Sequence, residues 1–245
     1  MKATVIEFRL RLAITTAIIA LGYWAPWIET WHIGERMSLL VWLALELART
    51  RLLSFTVATP VVILLAVVIA AKAVVLRVWG TAYLGSATVN HARMQAGAVM
   101  ADGPYRYVRN PLYLGSWCMV CAMAFAMPPT GALFALVLTA IFLFRLILAE
   151  EAFLIKTVGD PYIAYCAAVP RLIPRLRGAP KGSGTRPQWL RAALAELSPI
   201  GVFVTFAVFS WSYDNWLLIK GVLISFGVSL VVRAFLPRPI SETPE

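Results

Sequence analysis

The chain has 245 residues, 60% of them hydrophobic and only 14% charged, with a mean hydropathy of +0.78. Soluble domains carry charge at roughly a quarter of their positions, so this composition excludes an ordinary water-soluble globule. The net charge of +10 does not point to nucleic acid in so apolar a chain, because Lys and Arg collect in the cytoplasmic loops of membrane proteins.

Lys2, Arg9 and Arg11 precede an apolar run from Leu12 to Ile28, and Trp24, Trp27 and Trp31 follow at its far end. The pattern resembles a signal peptide without a small-residue cleavage site, so an uncleaved first span over 10–28 is expected. Further spans are expected over 55–79, 112–127, 130–149, 198–213 and 216–235, each near the roughly 20 residues a bilayer crossing needs, the third being short. Pro128-Pro129 turns the third span straight back into the fourth, giving a tight helical hairpin. The fold expected is all-α: a polytopic transmembrane bundle of about six spans with a donor pocket at its cytoplasmic face.

Met37 to Leu53 is apolar but holds Glu46, Arg49 and Arg51. With six spans and both termini inside, only Arg36, Arg49, Arg51 and Lys220 of the 22 Lys and Arg lie outside. A seventh span over 37–53 spoils that asymmetry, so an interfacial or re-entrant helix is expected there. The chain then divides into N-terminal spans (1–89), a core with the polar loop and the hairpin (90–178), a Pro/Gly/Arg-rich cytoplasmic linker (179–197) and two further spans (198–245). The protein is expected to be multi-pass, in the cell inner membrane and in contact with membrane lipids. Cys118 and Cys121 form a C-x-x-C inside an apolar helix with no second Cys/His pair beside it, which reads as helix packing and gives no metal site.

Two polar clusters stand out. Gly103-Pro104 marks a turn, and Asn110-Pro111 marks a helix start with Asn as N-cap and Pro at the first helical position. The backbone N–H groups of such a start suit an anion. Tyr105 and Tyr107 offer aromatic faces; Arg106 and Arg109 offer fixed positive charge for a carboxylate, an acceptor headgroup or lipid phosphate. The second cluster ends the fourth span: Arg145, then Glu150-Glu151. Charged groups at a membrane boundary need partners, and the hairpin sets Glu150 and Asn110 at one level. His91 is the other candidate base in these loops; His32 lies on the outer side.

G-P-Y-x-x-x-R-N-P-x-Y-x-G (Gly103 to Gly115), a hairpin, and then Glu150-Glu151, Leu154, Gly159, Tyr162, Tyr165 and Val169-Pro170-Arg171 are together similar to the core of the isoprenylcysteine carboxyl methyltransferase and phospholipid methyltransferase superfamily. The resemblance covers about residues 90 to 174. It implies an integral membrane enzyme that binds S-adenosylmethionine at the cytoplasmic face and methylates a lipid-like or prenylated acceptor. The donor-contacting positions carried over are Asn90, Gly97, Ala98, Val99, Met100, Tyr105, Asn110, Pro111, Leu112, Tyr113 and Glu150. Arg109, Asn110, Glu150 and Glu151 fall at the catalytic positions, and Arg106 and Arg145 on the acceptor side. Most members carry His where this chain has Asn110, and an acceptor-contacting Arg falls at Leu146, one place from Arg145. Asn cannot carry a proton charge, which favours an acceptor that arrives ionised. Two other readings remain at this point: an NADPH-dependent sterol-type reductase, with Arg171, Arg175 and Arg177 toward a nucleotide phosphate, and a non-catalytic membrane scaffold.

Overall fold

A computed structural model of the chain describes residues 2–87, 102–175, 180–182 and 184–235. Asn90, His91, Gly97, Ala98, Val99, Met100 and Arg177 lie outside the described residues. Every regular element is helical, with no strand among the described residues.

The chain opens with α1 (Val5–Arg9), closed by a capping box in which the Thr4 hydroxyl accepts from the Glu7 N–H and the Glu7 carboxylate accepts from the Thr4 N–H. Helix α2 (Arg11–Trp24) stops at Ala25, which takes a left-handed conformation, and α3 (Trp27–Trp31) follows. The first apolar run is thus broken where a single helix over 10–28 is expected. Pro26 explains the break: it has no N–H to continue the ladder, and it disfavours helical geometry in the residue before it.

Helix α4 (Leu39–Arg49) starts at Ser38, whose hydroxyl accepts from the Val41 N–H. At about 1.5 Å per residue, its 11 residues are too short to cross a bilayer alone. Its first N–H groups donate to the Met127 and Phe125 carbonyls, at 2.7 and 2.9 Å, so α4 caps the tip of the hairpin.

Helix α5 (Phe55–Ala87) runs well past residue 79, where the second span was expected to end. Packing extends it: a Cβ on Gly80 would sit 2.8 Å from Leu112, so the last turns of α5 lie directly on the start of the next helix. That helix, α6 (Pro111–Ala124), and α7 (Pro129–Val158) form the expected hairpin. The buried small residues Ala66 and Ala73 of α5 belong to one core with Cys118 and Met119 of α6, the packing that membrane helices use in place of a hydrophobic drive. On the other side, Gly22 of α2 and Gly131 of α7 meet so closely that a Cβ on Gly131 would collide with the Gly22 carbonyl.

Helix α7 continues straight through Glu150-Glu151 and ends at Gly159, whose φ of 76° turns the chain into α8 (Asp160–Ala168). Beyond the linker, α9 (Trp189–Ala195) and α10 (Leu197–Ser212) meet in a 72° elbow, and α11 (Asn215–Phe235) packs back on α10. Among the described residues, Phe55–Leu84 and Pro129–Val158 are long and apolar enough to cross a membrane, and the elbowed pair makes a third if it counts as one crossing. Helices α2 and α6, and residues 216–232 of α11, are apolar but shorter.

Candidate functional site

The hairpin brings the two polar clusters together. Glu151, buried near the end of α7, accepts from Arg109 Nε at 3.1 Å, from Asn110 Nδ2 at 3.1 Å, and from Arg171 Nε and Nη2 at 3.0 and 2.8 Å. Arg109 also donates through Nη1 to the Cys166 and Val169 carbonyls, at 2.6 and 2.8 Å. Its backbone N–H reaches the Pro170 carbonyl at 2.9 Å, and the Arg175 N–H reaches the Tyr107 carbonyl at 2.9 Å. One carboxylate therefore ties the entrance of α6, the end of α7 and the strand-like segment after α8 into one unit. Breaking such a buried pair leaves uncompensated charge and costs roughly 3–5 kcal/mol. The hydrogen bonds to Glu151 hold the Arg171 guanidinium above its ordinary pKa, so its charge is permanent.

Glu150, one residue earlier, points elsewhere. Consecutive helical residues are separated by about 100° around the axis, and Glu150 turns to Tyr113, whose hydroxyl donates to Oε2 at 2.7 Å. Its other oxygen has no partner among the described residues. Tyr105 sits in the short 3-10 turn Gly103–Arg106, with its carbonyl accepting from the Tyr165 hydroxyl at 2.7 Å. Burial, and then the field of Glu150, push the Tyr105 phenol well above its usual pKa, with smaller contributions from Tyr165 and Glu196. It stays a neutral hydrogen-bond donor at any working pH. Gly103 is forced by this turn: its φ is +54° and a Cβ would strike the Tyr83 ring.

Asn110 precedes α6 but makes no side-chain cap. Its amide is committed to Glu151 and, at 3.3 Å, to the Arg171 carbonyl. The N–H groups of Leu112 and Tyr113 consequently receive no oxygen from that side chain, and Pro111 has no N–H to satisfy.

Arg109, Asn110, Pro111, Leu112, Tyr113, Glu150, Glu151 and Tyr105 are thus gathered at one end of the hairpin. Arg106 lies at the margin, donating through Nε to the Pro180 carbonyl at 2.7 Å and lying over the Tyr107 ring at 5.8 Å. Arg145 is turned away: its Nη2 donates to both oxygens of Glu7 at 2.8 Å, and its carbonyl accepts from the Ala3 N–H. It anchors α1 to α7. Sequence reasoning did not assign Arg171 to the node, although the Val169-Pro170-Arg171 signature carried the signal. A second buried cluster was missed entirely. Glu196, at the elbow, accepts from Arg77 Nε at 2.6 Å and Nη2 at 3.1 Å and from the Thr81 hydroxyl at 2.7 Å, and Arg77 also donates to Ser116 of α6.

Residues 53–160 match the sequence model of the family Phospholipid methyltransferase. Over 78 residues the chain is 40% identical to the Protein-S-isoprenylcysteine O-methyltransferase of Schizosaccharomyces pombe, a match covering 31% of this chain and 33% of that protein. The chain therefore aligns with about a third of that relative's length. No solved structure matches. Residues 53–160, which hold most of α5, the hairpin and the paired acids, are therefore similar to the phospholipid methyltransferase family, and a stretch of the chain is similar to an isoprenylcysteine methyltransferase.

Proposed function

We propose that the protein transfers a methyl group from S-adenosylmethionine to a lipid-like acceptor that carries a carboxylate or phospholipid head. The observation that carries this reading is the division of labour between adjacent acids. Glu151 is saturated by Arg109, Asn110 and Arg171, while Glu150 accepts from Tyr113 through one oxygen and has no partner for the other among the described residues, with Tyr105 within its field.

The residues fit the donor. The open Glu150 oxygen can accept from hydroxyl or ammonium groups and offsets nearby positive charge. The Tyr105 phenol supplies a donor and a flat face, and the uncapped N–H groups at the start of α6 suit a carboxylate. Pro111, Leu112 and Tyr113 would line that contact, with Asn90 and Gly97 to Met100 as further donor contacts by family resemblance. When bound, S-adenosylmethionine supplies a methyl group already activated on a sulfonium. The chain's own task is then to align the two reactants and exclude water. Arg109, Asn110 and Glu151 act by holding the pocket wall in one arrangement. The Asn110 NH2 group donates to Glu151 and to the Arg171 carbonyl, and an amide cannot act as a base near neutral pH, so an acceptor that arrives ionised, such as a prenylcysteine carboxylate, suits this site best.

We infer in addition that six crossings, with both termini and the site on the cytoplasmic side and 37–53 at the opposite interface, best satisfy the distribution of Lys and Arg. The reductase reading loses support because Arg171 is occupied by Glu151. Titration of the detergent-purified protein with S-adenosylmethionine or its demethylated product tests the proposal. Saturable binding, weakened at least tenfold by Glu150→Gln, is expected; no binding by a folded sample overturns it. Incubation of a lipid extract with methyl-labelled donor, followed by mass spectrometry, identifies the acceptor.

A further inference from the structure

Between Asp160 and Glu196 the sequence carries six Lys or Arg and no Asp or Glu. Glu196 is buried and paired with Arg77, so it neutralises none of them. Arg175, Lys181, Arg186 and Arg191 are exposed, and their side chains have no hydrogen-bond or ionic partner among the described residues. Bare apolar side chains stand among these cations: Ile173 is 82% exposed, Leu190 77% and Trp189 52%. That mixture suits a lipid boundary, where apolar side chains enter the acyl layer and Lys and Arg heads stay in the headgroup layer.

The elbow sets this surface in the membrane plane. Helix α10 is apolar, 16 residues long and one of the six inferred crossings. Helix α9 meets it at 72°, so with α10 along the membrane normal α9 lies nearly flat on the boundary. Ala192 and Glu196 are buried against the bundle, while Trp189, Leu190 and Arg191 open α9 on the exposed side. Trp is enriched at that depth. The stretch before α9 is tied to the bundle at the same level. The Gln188 N–H donates to the Ala82 carbonyl at 2.8 Å and the Thr185 N–H to Asp102 Oδ2 at 3.1 Å. The Pro180 carbonyl accepts from Arg106 Nε at 2.7 Å, and the Arg175 N–H reaches the Tyr107 carbonyl. These ties gather the cations at the end of the bundle that holds Glu150 and Glu151.

We propose that Arg175, Lys181, Arg186 and Arg191 form a docking surface for anionic phospholipid heads, seated in the membrane boundary by Ile173, Trp189 and Leu190. The occupant follows from charge. A phosphatidylcholine head is neutral overall and gains little from unpaired cations, whereas a phosphatidylglycerol head carries a net negative charge and is drawn to them. The attraction is between solvated groups, so salt screens it. The inference rests on α10 crossing the membrane and is independent of methyl transfer.

The full-length protein, with its native cysteines replaced, carries a bimane fluorophore on Leu190→Cys or, as a control, on Val208→Cys, an exposed position of α10. Each sample is placed in vesicles containing dibrominated phosphatidylglycerol or dibrominated phosphatidylcholine, whose bromines quench the fluorophore on contact. At 190 the anionic lipid is expected to associate roughly threefold or more tightly than the neutral one at low salt, and at 208 the two are expected to quench alike. Combined Lys181→Gln, Arg186→Gln and Arg191→Gln, or raised salt, is expected to bring the ratio at 190 down to that at 208. An equal ratio at both positions in the unaltered sequence overturns the anionic preference. Quenching at 208 with none at 190 by either lipid puts the segment in water and overturns the docking surface. Absence of quenching at 208 overturns the crossing of α10 itself. Where replacing the cysteines prevents folding, native mass spectrometry of the natural sequence and of the three-Gln variant counts retained lipid. Retention of phosphatidylglycerol over phosphatidylcholine that the variant loses is expected, and equal retention by both proteins overturns the proposal.

Discussion

At residue scale the adjacent acids make opposite predictions. Glu151→Ala strands the Arg109 and Arg171 guanidiniums beside a buried void, so a stability loss of roughly 3–5 kcal/mol is expected, read as a lowered unfolding temperature in detergent. Glu150→Ala removes one hydrogen bond from Tyr113. Stability should move by about 1 kcal/mol or less, while donor affinity collapses in the same titration that shows Glu151→Gln binding more weakly only as it unfolds. Loss of donor binding at 151 in a fully folded variant, with none at 150, would reverse the roles assigned here. The sequence showed that two acids stand at the level of Asn110. It did not show which one is consumed by the scaffold, because helical spacing gives the angle between neighbours and not what each meets. The same gap hid the partner of Arg145: Glu7 lies 138 residues earlier, and only the docking of α1 on α7 brings it near.

At the scale of elements, close helix contacts carry the fold. Gly131→Ala drives a methyl group into the Gly22 carbonyl and should cost about 1–3 kcal/mol through overpacking; an unchanged thermal transition would show that α2 is free to shift. Helix α1 depends on charge instead. The Thr4 N–H, first, and then Arg145 hold the Glu7 carboxyl below its ordinary value of 4.5. A depressed folded-state pKa gives stabilisation that is present above the unfolded value and lost as pH falls through the folded one. Amide exchange over residues 4–9, corrected for its intrinsic pH dependence, is therefore expected to accelerate only below about pH 4.5, and Arg145→Ala should weaken that pH dependence. Several element boundaries were legible, the hairpin above all, since Pro128-Pro129 and Asn110-Pro111 are local signals. The break at Ala25 and the extension of α5 to Ala87 were not: the first turns on one proline inside an apolar run, the second on tertiary packing against Leu112.

For the whole molecule, the buried ionic nodes divide the work. One closes the core around Glu151, and the other, around Glu196, fastens the C-terminal helices to α5 and α6. The all-helical character and the hydrophobic blocks followed from composition alone, whereas the attachment of the last helices did not, because Glu196 sits in what read as a plain linker. The proposed topology can be checked directly. With the native cysteines replaced, Glu35→Cys and Lys181→Cys, both at exposed positions, should react with a membrane-impermeant thiol reagent from opposite faces of oriented vesicles. Reaction from the same face would remove the six-crossing arrangement.

Gly115 closes the R-N-P-x-Y-x-G signature, yet a Cβ there would lie 2.7 Å from Arg77 Cγ and press on α5. The signature glycine is thus a saddle for a side chain from another helix, one that grips Glu196 in the C-terminal elbow. The two sites are linked size for size: a chain that gains a methyl group at 115 must shorten the residue at 77, and with it let go of 196. Substitutions at these three positions should therefore be tolerated in concert and rejected one at a time.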